Sequence, residues 1–314
     1  MKITAVIPAY NSADYITQAL DSIAAQTRPV SEIIVVDDGS NDGTAEVVNN
    51  WSGDVPIAVM TQKNQGPSAA RNHGIQAAEG DWIAFLDADD QWTPTKIEEQ
   101  CAALARHPEL ALVASDMAET DSSGEITTPS VLDQHDLLGF FEALGGAPLP
   151  DALAALLRKN FIPTGTVLAK RSVLLEAGLF NPRIRYGEDL ELWARIAARH
   201  PITCLPRVHM LRRRHEHNAT GDEIGMLLDL IEVNRNLTSE LAGEMKAQGL
   251  DPRGLVAQSA WTAGYWYFAK GDHRRARPLL WCSLKEKPNR KALFHLLLTL
   301  FPASWVARAR TWWP

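Results

Sequence analysis

The chain has 314 residues, 46% of them hydrophobic and 22% charged, with a net charge of −7. That length allows one large domain or two small ones, and the composition is that of an ordinary globular protein. The acidic balance excludes general nucleic-acid affinity, which needs a basic surface to release counterions, yet leaves room for one bound nucleotide.

Cys101, Cys204 and Cys282 lie far apart. Three cysteines without short spacing form neither a disulfide framework nor a zinc site, so a reducing, cytoplasmic compartment is expected. Met1-Lys2 runs straight into a strand-like segment with no secretory h-region. No apolar run is long enough to span a bilayer.

Over the first 116 residues, β-branched or apolar runs (Ile3–Ile7, Glu32–Val36, Ile57–Met60, Trp82–Leu86, Ala111–Ala114) alternate with helix-like stretches (Ser12–Gln26, Gly43–Asn50, Pro67–Ala78, Pro94–His107). Ser12, Asn41 with Asp42, Pro67 with Ser68, and Thr93 with Pro94 stand where caps or first turns belong. This alternation predicts βαβ units and a mostly parallel sheet, whose ligands bind beyond the carboxyl ends of the strands. The polar clusters Pro8–Asn11, Asp37–Ser40, Lys63–Gly66 and Asp87–Asp90 should therefore meet at one edge.

Residues 122–150 read as loops and short helices over that face. A strand is expected over Gly165–Lys170, a short helix over Arg171–Gly178, an amphipathic helix over Glu188–His200 and a strand near Ile202–His209. Past about Gly221 the pattern is wholly helical (Glu223–Gln248, Gly254–Lys270, His273–Lys285, Lys291–Leu300), which places a boundary near 220. Gly264, Tyr267, Ala276, Ser283 and Pro288 have the spacing of a tetratricopeptide-type hairpin, but one copy cannot stack into a solenoid.

Several segments carry chemistry. Asp87-Ala88-Asp89-Asp90 follows a strand, where carboxylates two apart can point the same way and repel unless a hard divalent cation joins them; a solvated helix-capping turn is the plainer alternative. Asp37 and Asp38 stand where a carboxylate can accept from a base or ribose, or simply close a turn. Arg71, one turn into its helix, opposes the macrodipole, which is easier to explain if it meets a phosphate or a carboxylate. Glu188 and Asp189 open a helix where acids are favoured, and one of them can serve as general base; Glu191 is expected to be solvated. Arg212-Arg213-Arg214-His215 suits a diphosphate.

Taken together, Val6-Ile7-Pro8-Ala9-Tyr10-Asn11, Val36-Asp37-Asp38-Gly39-Ser40, Gly66-Pro67-Ser68-Ala69-Ala70-Arg71-Asn72, Phe85-Leu86-Asp87-Ala88-Asp89-Asp90 and Gly187-Glu188-Asp189 resemble the family-2 glycosyltransferases of the GT-A fold. Each motif alone is weak, but five in order over residues 1–220 are not. The resemblance implies an α/β nucleotide-sugar-binding fold with a C-terminal helical region over 221–314. It implies that Pro8, Ala9 and Asn11 border the nucleotide, and that Asp38, with Asp37 beside it, contacts a pyrimidine base. It further implies that Arg71 approaches the diphosphate, that Asp87 and Glu188 line the substrate site and that Asp89 binds Mn²⁺ or Mg²⁺. Asp189 would be the base of an inverting displacement. Arg213, His215 and Asn218 are similar to the family's R-x-H-x-x-N stretch, with Arg213 near the diphosphate and His215 near the metal; Arg212 stands where an aromatic often precedes it. A loop near Arg212–Asn218 would order over the donor. The partners implied are a nucleotide-sugar donor and a glycan or lipid-linked sugar acceptor.

Rival readings fare worse. An Asp-nucleophile phosphatase needs its D-x-D on the first strand, a dinucleotide oxidoreductase needs G-x-G-x-x-G there, and a pyrophosphorylase needs a Gly-rich basic loop. A non-catalytic sugar-binding descendant is disfavoured by Asp87, Asp89 and Asp189 standing together. From Lys285 on, basic residues are mixed with Leu296–Leu298, Trp305, Trp312 and Trp313, which suits either simple helix packing or peripheral contact with the inner face of a membrane.

Overall fold

The computed structural model describes residues 1–214 and 222–301. His215 and Asn218 of the basic stretch, and Trp305, Trp312 and Trp313 of the tail, lie outside the described residues. The described residues divide into two units. One holds residues 1–183 and 188–214; the other holds 184–187 and the helices from 223 onward.

In the first unit, β1 (Ile3–Ala9), α1 (Ile16–Ala24), β2 (Glu32–Asp37), α2 (Thr44–Asn49), β3 (Ile57–Thr61), α3 (Pro67–Ala77) and β4 (Trp82–Phe85) alternate as expected. The two-residue β5 (Gln91–Trp92), α4 (Lys96–Arg106), β6 (Leu112–Thr120), β7 (Ile126–Thr128), α5 (Val131–Gln134), α6 (Leu138–Leu144) and α7 (Ala152–Arg158) follow. Then come a 3-10 turn at Thr164–Thr166, β8 (Leu168–Lys170), α8 (Arg171–Glu176), α9 (Glu188–Ala197) and β9 (Ile202–Arg213). The sheet order is β3-β2-β1-β4-β8-β6-β9-β5, with β7 paired to β6. Pairing is parallel among β3, β2, β1 and β4 and between β6 and β9, so the sheet is mostly parallel.

Every residue of β1 is buried, as a strand covered on both faces must be. One covering helix, α1, buries Ile16, Ala19, Leu20 and Ile23, the single stripe a 3.6-residue period allows. Each large aliphatic of that stripe contributes about 1.5–3 kcal/mol on burial. Register levels the strand ends, with Ala9 opposite Asp37 and Asp37 opposite Thr61. The loops that follow these strands thus leave the sheet side by side.

Several local expectations need correction. Ser12, Asp42 and Thr93 are not side-chain caps: α1 starts after Tyr15, α2 after Gly43 and α4 after Thr95, none with a side-chain cap. The Ser12 carbonyl accepts from Tyr15 and Ile16, while Asp42 accepts from the Thr44 and Ala13 amides. Pro67 does open α3. Gly165 falls in the 3-10 turn rather than in a strand, because the chain bends before β8. Strand β9 extends to Arg213 beside β6, so Arg212 and Arg213 belong to a strand and not to a loop. Glu191 is buried rather than solvated. Helix α9 is covered nearly all round, and Arg195, four residues on, lies 3.8 Å from the Glu191 carboxylate.

The second unit consists of α10 (Glu223–Ala247), α11 (Pro252–Ala269), α12 (His273–Glu286) and α13 (Arg290–Leu298). Each begins with an acceptor side chain: Asp222, Asp251, Asp272 and Asn289 take the amides of Gly225, Gly254, Arg275 and Ala292. Such caps contribute about 1 kcal/mol each. Helices α11 and α12 meet at Gly264, where an added Cβ would stand 3.0 Å from the Leu280 side chain. No helix among the described residues is long and apolar enough to cross a membrane.

Helix α3 lies close on β1 and β2 because residue 74 is glycine: a Cβ there would come within 2.5 Å of a Val6 methyl. Gly74→Ala should therefore cost about 1–3 kcal/mol in urea unfolding despite its better helix propensity. An unchanged or higher midpoint would show that the packing is looser than described.

Candidate active site

The carboxyl edge of β1 and β2 is stitched by short polar contacts. The Asn11 amide donates to Ser40 Oγ at 2.9 Å, and Asn11 Oδ1 accepts from the Asn41 amide at 3.0 Å. Asn11 holds φ at 49°, a conformation Asn tolerates better than most residues. Pro8 and Ala9 end β1 and are buried, so their side chains face the protein; the Ala9 carbonyl accepts from the Asp38 amide. Tyr10, given no role from sequence, is 52% exposed beside them.

Asp37 and Asp38 are both buried but differ in work. Asp37 accepts from the amide and hydroxyl of Ser40 and closes its own turn. Asp38 reaches across to the loop before α3: Oδ1 accepts from Gln62 Nε2 at 2.7 Å and the Gln65 amide at 2.9 Å, and Oδ2 from the Gly66 amide at 2.7 Å. A carboxylate has about four acceptor sites, so Oδ2 keeps one.

Arg71 is 5% exposed, and its guanidinium bridges two elements. One nitrogen donates to Asp87 Oδ1 at 2.7 Å and the other to Glu188 Oε1 at 3.1 Å, with the Phe180 ring 5.4 Å beneath. Burial opposes the charge on Arg71, but the Asp87 and Glu188 carboxylates more than offset it, raising its pKa. Asp87 is therefore tied, through Arg71, to the start of α9.

Sequence alternation had suggested that Asp87 and Asp89 point the same way. Strand β4 ends at Phe85, however, and the Asp90 amide bonds back to the Asp87 carbonyl, so the acids lie on a turn. Asp87 faces Arg71, while Asp89 lines a cleft of about 450 Å³ with Gln18, Gln91, Thr120, Ser122 and Arg213. Asp90 is buried and accepts from the Arg213 amide at 3.0 Å. Burial, then the charges of Asp89 and Asp87, push the Asp90 carboxyl well above the usual range. The Arg213 guanidinium donates to Gln18 at 2.6 Å and lies 5.6 Å over the Tyr15 ring.

This crowding of acids suits a hard cation. Among the described residues no three potential ligands gather as a complete set. One or two carboxylates is what a protein supplies when substrate phosphates complete the shell. Oxygen donors of this kind are those a hard divalent cation takes.

At the head of α9, Asp189 Oδ1 accepts from the Leu190 amide at 2.6 Å. Burial raises the Asp189 pKa, while hydrogen bonds from the Leu190 amide and the Asn160 side chain, with the charge of Arg71, pull it back. Burial and the Asp189 charge push Glu188 up to about 7, against Arg71. Asn160, Gln18 and Gln91 escaped the sequence reading, since isolated amides carry no pattern. Phe85, Phe180 and Trp193 back this helix with ring centroids 5.5–6.1 Å apart.

Arg71→Met would leave Asp87 and Glu188 without their shared partner. The expected loss in denaturant unfolding is about 3 kcal/mol, the low end for a broken buried pair because Asp87 is 36% exposed. Adding Glu188→Gln should recover part of it, and Arg71→Lys should fail because one ammonium cannot bridge both acids. Wild-type stability in Arg71→Met would refute the bridge.

Residues 4–162 match glycosyl transferase family 2. An uncharacterized glycosyltransferase of Rickettsia felis is 31% identical over 201 residues, covering 64% of this chain and 31% of that protein. The chain spans from about a third to about half the length of the first curated relatives it matches. Among solved structures, S. aureus TarS 1-349 in complex with UDP-GlcNAc superposes with a TM-score of 0.67 at 17% identity, over 93% of this chain and 83% of that one. The Pyrobaculum calidifontis mannosyltransferase PcManGT, in complex with GDP-Man and Mn²⁺, gives 0.60 at 18%, over 99% and 87%. At such identities the likeness establishes the fold, which is of the GT-A type.

Proposed function

The chain belongs to glycosyl transferase family 2, and on that premise we propose that it is an inverting transferase, moving a sugar from a UDP-sugar to a hydroxyl of a glycan or lipid-linked sugar. Residues 1–220 form its catalytic domain on this reading, and it works at the cytoplasmic side of the membrane. The observation that carries the proposal is the Arg71 bridge, which fastens the acidic turn at Asp87 to the helix that presents Asp189.

The geometry supports the following roles. Asp38 accepts from the base N–H with its remaining site, which suits uracil, and Tyr10 offers a face for stacking. Asn11 shapes the edge where Pro8 and Ala9 present backbone to the nucleotide. Arg213 supplies positive charge toward the diphosphate from the cleft wall. Asp89, together with His215 outside the described residues, would hold Mn²⁺ or Mg²⁺, which when bound stabilises charge on the departing nucleoside diphosphate.

Asp189 takes the proton of the acceptor hydroxyl as its oxygen attacks the anomeric carbon. The bond from that carbon to the phosphate oxygen breaks in the same displacement, and the carbon inverts. Asn160 and the Leu190 amide hold the carboxylate in place, and burial keeps its basicity high.

Asp189→Asn should lower kcat about a thousandfold, the usual span for a lost general base, while nucleotide affinity by calorimetry stays unchanged. Activity has a defined pH sense. Both carboxyls have raised pKa values, Glu188 to about 7, so the acid limb of kcat/KM should lie above the ordinary carboxylate range. Glu188→Gln removes the like charge and should move this acid limb to lower pH. Full activity of Asp189→Asn, or a wild-type limb at the ordinary carboxylate value, would exclude Asp189 as base. A non-catalytic descendant would bind UDP with metal and release nothing from any donor.

A further inference from the structure

Asn72, the last residue of the Gly66–Asn72 stretch, stands on α3 one place beyond Arg71. Its side-chain amide spans the backbone of a single distant residue. Nδ2 donates to the Phe180 carbonyl at 2.8 Å, and Oδ1 accepts from the Phe180 amide at 2.9 Å. Two opposed bonds to one residue are what a neighbouring strand would offer, so this side chain stands in for a strand.

The segment it grips is constrained. Gly178 and Leu179 leave α8 with φ of 84° and 66°, a region that a leucine side chain disfavours. Such a residue persists only where its surroundings over-determine it. Here they do: Asn72 fixes the next residue, and Arg195 of α9 donates to the Leu179 carbonyl at 2.7 Å. At the start of α8, Arg171 donates to the carbonyls of Ile75 and Gln76, both at 2.8 Å, and ties the same segment to the end of α3. The gripped residue also reaches the acids. The Phe180 ring is buried 5.5 Å from Trp193 of α9, 5.6 Å from Phe85 at the end of β4 and 5.4 Å from the Arg71 guanidinium. Trp193 lies one turn beyond Asp189 on the same helix. Residues 179 and 180 thus form a second tie between α3 and α9, beside the ion pair of Arg71 with Glu188.

We propose that Asn72 is a positioning residue for the reaction, holding the head of α9, and with it the Asp189 carboxylate, in place through the Phe180 backbone. This rests on the reading of Asp189 as general base. A reacting group displaced by about 1 Å loses on the order of a hundredfold in rate, so a tie of this kind acts on turnover. The nucleotide edge at Asn11 and Asp38 is built from other bonds, and a change at residue 72 leaves it alone.

The test compares the full chain with Asn72→Ala and with the isosteric Asn72→Asp, which keeps the accepting oxygen and loses the donor. Hydrogen exchange read by mass spectrometry should show the amides of α9 exchanging at least about tenfold faster in Asn72→Ala, with those of β1 and β2 unchanged. UDP release from a panel of UDP-sugars with Mn²⁺ should fall in kcat by about 10- to 100-fold, with donor KM and calorimetric UDP affinity unmoved. Asn72→Asp should melt as the wild type does and lose kcat severalfold. Unchanged exchange in α9, acceleration spread equally over β1 and β2, or wild-type kcat in either variant would overturn the proposal. The exchange measurement reads the tie whether or not a donor is turned over. Silence of the wild-type chain toward every donor would therefore count against the transferase reading, while faster exchange confined to α9 would still support the tie.

Discussion

One buried cation organises the first unit. Arg71 sits in the interior, where a charge survives only if it is paired and hydrogen-bonded, and its planar fork reaches two acids on separate segments. Three elements are thereby fixed against each other: α3, the turn after β4 and the head of α9. The rest of the site depends on this. Asp87 and Asp89 belong to the same turn, and Asp189 is the next residue after Glu188. The close seat of α3 on the sheet, which the missing Cβ of Gly74 permits, sets where Arg71 can stand.

The same arrangement explains why the acids are of different kinds. Asp38 and Asp37 are spent largely on backbone amides and act as fasteners of loops. Asp90 is buried against the Arg213 amide and shapes the far side of the turn. Asp89 lines the open cleft. Asp189 and Glu188 sit in low dielectric beside each other, so their protons are held more tightly than those of ordinary carboxylates. Neighbouring acids in unlike surroundings thus hold their protons with unlike strength.

Much of this was legible in the sequence because period and punctuation are local signals. The βαβ alternation through β4 and the polar clusters at strand ends follow from side-chain periodicity and turn residues. What escaped was set by distant partners. The caps expected at Ser12 and Thr93 gave way to other bonds, since the Thr93 hydroxyl donates to the Val208 carbonyl instead. Glu191 looked solvated because helix periodicity does not reveal that α9 is covered on both sides. Arg212 and Arg213 looked like loop residues because a charged run hides a strand whose pairing with β6 lies about ninety residues away. The amides of Asn160, Gln18 and Gln91 carry no periodic signal at all.

The most direct measurement is release of nucleoside diphosphate by the purified full chain, with Mn²⁺ or Mg²⁺, from a panel of UDP-, GDP- and dTDP-sugars. Release from a UDP-sugar that a chelator, Asp89→Ala and Asp189→Asn each abolish is the expected result. Silence from every donor, with no calorimetric binding of UDP in the presence of metal, would contradict it.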